Sequence, residues 1–112
     1  MKKLTLIVIL LLALTGCAVN KPTDPAKVPA RPLPEATYDG LSCQRLAAEL
    51  NGLYAKEAQW IKAQEDRRRD SLTMEILLGV GRGDGREYEG LAETRGHISA
   101  VQSVMARKGC AQ

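Results

Sequence analysis

Three cysteines and one histidine are the residues in this 112-residue chain whose types could do chemistry. Cys43, Cys110 and His97 invite a metal site. On a helical reading, however, His97 precedes Cys110 by about 20 Å of axis, too far to share a coordination sphere. A nucleophile–base pair has little to draw on, because the single histidine has no clustered carboxylates around it. Gly79, Gly81, Gly83 and Gly85 alternate as in phosphate-cradling loops, but no strand pattern precedes them and no catalytic lysine follows. Arg82-Gly83-Asp84 spells an integrin-binding tripeptide, a match of three residues that chance explains. Arg67-Arg68-Arg69 is flanked by Glu65, Asp66 and Asp70, which makes it a locally neutralised, solvated patch and not a nucleic-acid surface. The sequence thus predicts no enzyme, no cofactor, no metal, no small-molecule substrate and no nucleic acid. What is left is thiol chemistry at Cys17, Cys43 and Cys110.

Cys17 stands at the end of a leader. Met1-Lys2-Lys3 is a short positive start, and residues 4–14 (LTLIVILLLAL) form an apolar run with Thr5 as its only polar member. Such a run reaches about 16 Å as helix, half a bilayer core, which predicts an export signal and not a span. Leu14-Thr15-Gly16-Cys17 resembles the lipobox of bacterial lipoproteins. That resemblance implies removal of residues 1–16, diacylation of Cys17 as the new N-terminus, and attachment to the membrane through the lipid. Each buried CH₂ contributes about 0.8 kcal/mol, so several acyl chains anchor permanently. Ala18 in the next position resembles the outer-membrane address of that family. Loss of Lys2 and Lys3 with the leader takes the formal charge from +3 to +1, leaving a near-neutral mature chain.

Elements must now be found to position the other two cysteines. All five prolines (Pro22, Pro25, Pro29, Pro32, Pro34) fall within residues 21–34, a spacing that blocks helix and sheet and favours extended polyproline-like backbone. Residues 17–37 are therefore expected to be a disordered tether, reaching up to roughly 60 Å at about 3 Å per residue. Residues 38–112 read as a helical unit. Ser42 is a good N-cap, with Leu41 and Leu46 at the positions of a hydrophobic staple. Leu46, Leu50, Leu53, Glu57, Trp60 and Gln64 follow at alternating steps of four and three, widened by Ala47, Tyr54 and Ile61. A second helix is expected from about Arg86 to Lys108, with Tyr88, Leu91, Ile98, Val101 and Met105 on one side. Arg107 and Lys108 suit its negative end, and Gly109 is a natural terminator.

Two helices of about 23–25 residues, neither able to hide its apolar stripe alone, predict an all-α fold. That fold is an antiparallel, coiled-coil-like hairpin preceded by the signal helix and the tether. Glu57, Gln64, Arg95 and Gln102 interrupt the seam, as polar residues that fix register do. Arg95 should lie level with Glu57 and Trp60, within reach of an ion pair or a cation–π contact. Cys43 and Cys110 then meet at the open end, where an oxidising compartment favours a disulfide over free thiols or an intermolecular bridge. The connection, residues 67–85, is too long for a simple turn. Either the first helix continues past its partner or a short second segment folds back. Leu72, Met74, Ile76, Leu77, Leu78 and Val80 are expected either to pack over the hairpin tip or to form a surface for a partner or a second copy.

One small domain fits the chain length. Its features from Tyr38-Asp39-Gly40-Leu41-Ser42-Cys43 with Leu46, through Ile76-Leu77-Leu78-Gly79, Leu91 and Arg95-Gly96, to Lys108-Gly109-Cys110 form a pattern. In this the chain resembles small proteobacterial lipoproteins built as cysteine-closed helical hairpins. The resemblance implies an envelope lipoprotein acting as a structural or protein-interaction module, with an envelope protein or another copy as its partner, and it implies no activity. The alternative expectation is an accessory lipoprotein of a mobile element or secretion system, serving entry exclusion, phage lysis or pore assembly.

Overall fold

The structure, a computed structural model, describes residues 21–111, and over these it is all-helical with no strand. The leader, Cys17 and Ala18 lie outside the described residues. Two helices, α1 (Cys43–Leu78) and α2 (Arg86–Lys108), pack antiparallel and are joined at one end by the Cys43–Cys110 disulfide, whose Cα atoms are 5.4 Å apart.

The local signals explain three of the four helix ends. Ser42 is extended, and its Oγ accepts from the Arg45 N–H at 3.2 Å. Leu41 and Leu46 both reach the core beside it. At the end of α2, Gly109 takes the left-handed conformation (φ 68°). There the Cys110 N–H reaches the Met105 carbonyl and the Gly109 N–H reaches that of Ala106, the paired bonds of a Schellman motif. Cys110 is thereby turned toward Cys43. α1 ends on a simpler left-handed cap, Gly79 (φ 73°), whose N–H bonds the Glu75 carbonyl at 2.9 Å.

α1 has 36 residues, about 54 Å of axis, where the stripe alone predicted about 24. Nothing between Glu65 and Leu78 breaks a helix: the stretch lacks Gly and Pro, and Leu, Met, Arg and Glu are good helix formers. Of the two paths open to residues 67–85, the first is therefore realised, with a short return segment (79–85) that has no helix of its own.

The core has two parts. Near the disulfide, Leu46 on α1 meets Val101, Val104 and Met105 on α2, with Tyr38 closing the side. Farther along, Val28, Leu91 and Ala92 pack with Trp60, Ile61 and Tyr88.

Val28 and Leu33 fall within the expected tether, and their packing in and against the core corrects the expectation of a solvated, disordered one. Residues 21–38 form a strap laid along the two helices, parallel to α2, with short 3₁₀ turns at Pro25–Lys27 and Glu35–Tyr38. Pro22, Pro25 and Val28 are buried. Polyproline-like backbone has no internal hydrogen bonds, so its carbonyls are free to accept from elsewhere. Arg95 supplies the donors, with one guanidinium nitrogen 2.6 Å from the carbonyls of both Pro25 and Val28. The Arg31 N–H donates to the Ala92 carbonyl at 2.9 Å. Gly96 makes this approach feasible, since a Cβ there would overlap the Arg31 carbonyl oxygen. The strap is fastened near the disulfide as well. Arg107 pairs with Glu35 and Asp39, and Lys108 Nζ donates to the Asp39 and Leu41 carbonyls at 2.6 and 2.7 Å.

Candidate functional site

The polar seam residues pair with their neighbours and form no reactive cluster, with one polar atom left over, the buried Gln64 Oε1, which accepts no hydrogen bond. The Arg95 Nε lies 3.0 Å from Glu57, the expected ion pair. Gln102 donates to the Tyr54 hydroxyl at 2.8 Å. Gln64, fully buried, donates from Nε2 to the Thr23 carbonyl at 2.8 Å and to Asp84 at 2.9 Å, joining α1, the strap and the return segment. Asp84 also accepts from the Thr23 N–H and hydroxyl at 2.7 and 2.5 Å. Burial by itself would raise its carboxyl. The bonds from Thr23 and Gln64, with the Arg67 charge nearby, outweigh that and hold it below the ordinary carboxylate value.

His97 faces the strap, 2.6 Å from the Tyr38 hydroxyl with the two rings edge to face, while Cys43 and Cys110, some 20 Å away along α2, are joined in the disulfide. The Tyr38 phenol is pushed up, first by burial and second by the charge of Glu49. Among the described residues no group of three or more His, Cys, Asp and Glu side chains is placed to hold a metal ion.

The feature left without a packing partner is the far end of the hairpin. Arg67 marks the level at which α2 starts, pairing with Glu87 at 3.4 Å and donating to the Gly83 carbonyl at 2.6 Å. Residues 68–78, about 16 Å of helix, overhang beyond it. The return segment runs back along one side of this overhang. Its hold is Ser71, buried, whose hydroxyl accepts from the Arg82 N–H at 2.8 Å and donates to the Arg82 carbonyl at 2.9 Å. Ser71 and Glu75 share the covered face, and Gly81 sits against both.

Leu72 and Ile76 lie one position further round and are left open. Ile76, Leu77 and Leu78 are 74, 73 and 69% exposed, and Leu72 and Val80 are more than half exposed. Of the six residues predicted to act together here, only Met74 is half-buried. Packing over the hairpin tip is therefore not what the other five do, because the return segment covers the wrong side of α1. The structure brings them together as one apolar end.

Sequence reasoning missed what lies beside this end. The strap runs from the disulfide toward the tip, so Lys21 and Pro22 line an open groove of about 450 Å³ with Arg68, Ser71, Leu72 and Glu75. Its only sequence signal is Arg95-Gly96, a donor and a bare backbone in adjacent positions on α2.

No protein-family model matches the chain, and neither the curated proteins nor the solved structures contain a significant match to it.

Proposed function

We propose that this chain is a lipid-anchored protein of a bacterial cell envelope, acylated on Cys17 and held in the outer membrane facing the periplasm. There it works as a non-catalytic structural or protein-interaction module. The observation that carries this reading is Leu14-Thr15-Gly16-Cys17 placed directly after the apolar run of residues 4–14.

Two features of the fold support it. An intramolecular disulfide suits the oxidising space beyond the inner membrane, and here it staples a small hairpin whose core is two modest clusters. The rod also presents an exposed apolar tip, a surface made for contact, while the polar residues of the seam make their bonds within the fold. No helix among the described residues is long and apolar enough to cross a membrane. In this reading the membrane is held through Cys17.

Metabolic labelling with palmitate in a Gram-negative host tests the proposal. The wild-type chain is expected to carry label and to fractionate with the outer membrane, and Cys17→Ser is expected to carry none. Equal labelling of the two would refute the anchor.

A further inference from the structure

The chain leaves the hairpin at the tip and not at the stapled end. The strap carries the backbone from Tyr38, beside the disulfide, past Val28 to Thr23, which is bonded to Asp84 and Gln64. Lys21 then lies against α1 alongside Arg68 and Leu72. Only four residue steps separate Lys21 from Cys17, at most about 14 Å of fully extended chain. A lipid on Cys17 therefore lies on the same end of the molecule as the exposed leucines. From Leu72 to Leu78 is a further 9 Å or so along α1.

From this juxtaposition we infer that the apolar tip of the hairpin seats in the membrane leaflet that holds the Cys17 lipid, so that the rod stands tip-down on its own anchor. This inference rests on the proposal that Cys17 is acylated.

Three observations favour lipid over a protein or a second copy as the occupant. The first is reach, since the tether is too short to lift the tip clear of the headgroup layer. The second is the distribution of apolar surface. Of the six large hydrophobic residues exposed among the described ones, five are at the tip, and the sixth, Tyr54, is engaged with Gln102. Burial of such a cap by 5–10 Å is the usual depth of an interfacial segment.

The third observation is charge. Within two turns above Leu72, Arg68 and Arg69 are flanked by Glu65, Asp66 and Asp70, with Lys21 opposite. This belt of both signs would lie at headgroup level, where a zwitterionic phosphatidylethanolamine surface offers phosphate and ammonium together. A belt so balanced makes seating depend on apolar burial, with little sensitivity to salt.

The full chain, expressed with its leader in a Gram-negative host and purified in detergent, gives the test. Intact mass first reports whether Cys17 is acylated; an unmodified Cys17 would remove the anchor proposal and this inference with it. The acylated protein is then reconstituted into phosphatidylethanolamine/phosphatidylglycerol vesicles whose acyl chains are partly brominated. The wild type has one tryptophan, Trp60, about 25 Å along α1 from Leu77. The expected result is that Trp60 emission is unaffected by bromine. Emission added by Leu77→Trp, a change at a 73% exposed position, should instead be blue-shifted and mostly quenched. Both responses should be the same in low and high salt.

Four outcomes overturn the inference while leaving an acylated anchor intact. Leu77→Trp emission that bromine does not touch means that the tip is out of the bilayer. Equal quenching of both tryptophans means that the rod lies flat. A blue shift without quenching, with dimers seen on crosslinking, means that a second copy covers the tip. Brominated vesicles added in trans to protein in unbrominated ones should leave Leu77→Trp bright; quenching there would assign the tip to a facing membrane.

Discussion

Gly96→Ala separates the packed strap from a free tether by the sign of its effect. In a helix interior this change ordinarily stabilises by about 0.5–1 kcal/mol, because alanine is the better helix former. At Gly96 the new methyl would stand where the Arg31 carbonyl oxygen is. That carbonyl has to retreat by more than about 1 Å to reach ordinary contact distance. Retreat strains the Arg31-to-Ala92 bond, worth about 1 kcal/mol, and pulls Val28 from the core, where burial of its side chain is worth about 1.5–3 kcal/mol. Against the propensity gain, the net loss comes to about 2–3 kcal/mol.

Gly52→Ala is the matched control. It too lies within a helix, and a Cβ there meets nothing within 4 Å, so it should stabilise by about 0.5–1 kcal/mol. Urea denaturation of the three proteins gives the free energies. Trypsin, cutting after Lys27, reports the strap directly (Pro32 blocks the bond after Arg31), and Gly96→Ala should be cleaved there well before the hairpin is. A Gly96→Ala protein as stable as Gly52→Ala, with Lys27 still protected, would refute the placement of the strap across α2.

Three further outcomes follow from the same contacts. Reduction of Cys43–Cys110, which closes a separation of 67 residues, should lower stability by about 4 kcal/mol on the chain-entropy account. Denaturation with and without reductant measures it, and a loss below about 1 kcal/mol would contradict that account. Arg95→Met leaves Glu57 and two strap carbonyls without their donor and should cost about 3 kcal/mol, with the same early cleavage after Lys27. The Asp84 carboxyl is held below its ordinary value when folded, so its contribution is present above the unfolded pKa of about 3.9 and is lost as pH falls through the folded one. Asp84→Asn should therefore narrow its thermal-stability gap to wild type below about pH 4, and a gap constant from pH 7 to 2 would contradict the Thr23 and Gln64 bonds.

The parts of the fold legible in the sequence are those with a local cause. Ser42, Gly109, the four-and-three spacing from Leu46 to Gln64 and the stripe on α2 are signals within one or two turns of helix, and each element follows from them. The disulfide follows from the hairpin, because antiparallel packing brings the two ends together. Glu57 with Arg95 was readable for the same reason. The strap was not, because its contacts are made by backbone carbonyls, which carry no residue signature and no period. Arg95 reads equally well as the partner of Glu57 alone. The length of α1 was hidden by a change of environment: past Arg67 there is no partner helix, so the apolar residues stop following the seam. That Leu72 and Ile76 are open depends on which side the return segment takes, and Ser71 decides this with one hydroxyl.

The strap also imposes an order on assembly. Its bonds join residues 41 to 72 positions apart, from Thr23 with Gln64 to Glu35 with Arg107, and most of them end on α2 or the segment just before it. A ribosome delivers the strap first and α2 last, so the first part of the rod to be made is among the last to find its place. Until then Val28 lacks Leu91 and Ala92, the buried half of its cluster. Closure over such separations is the slow part of folding, and the carbonyls awaiting Arg95 stay solvated until the whole chain is present.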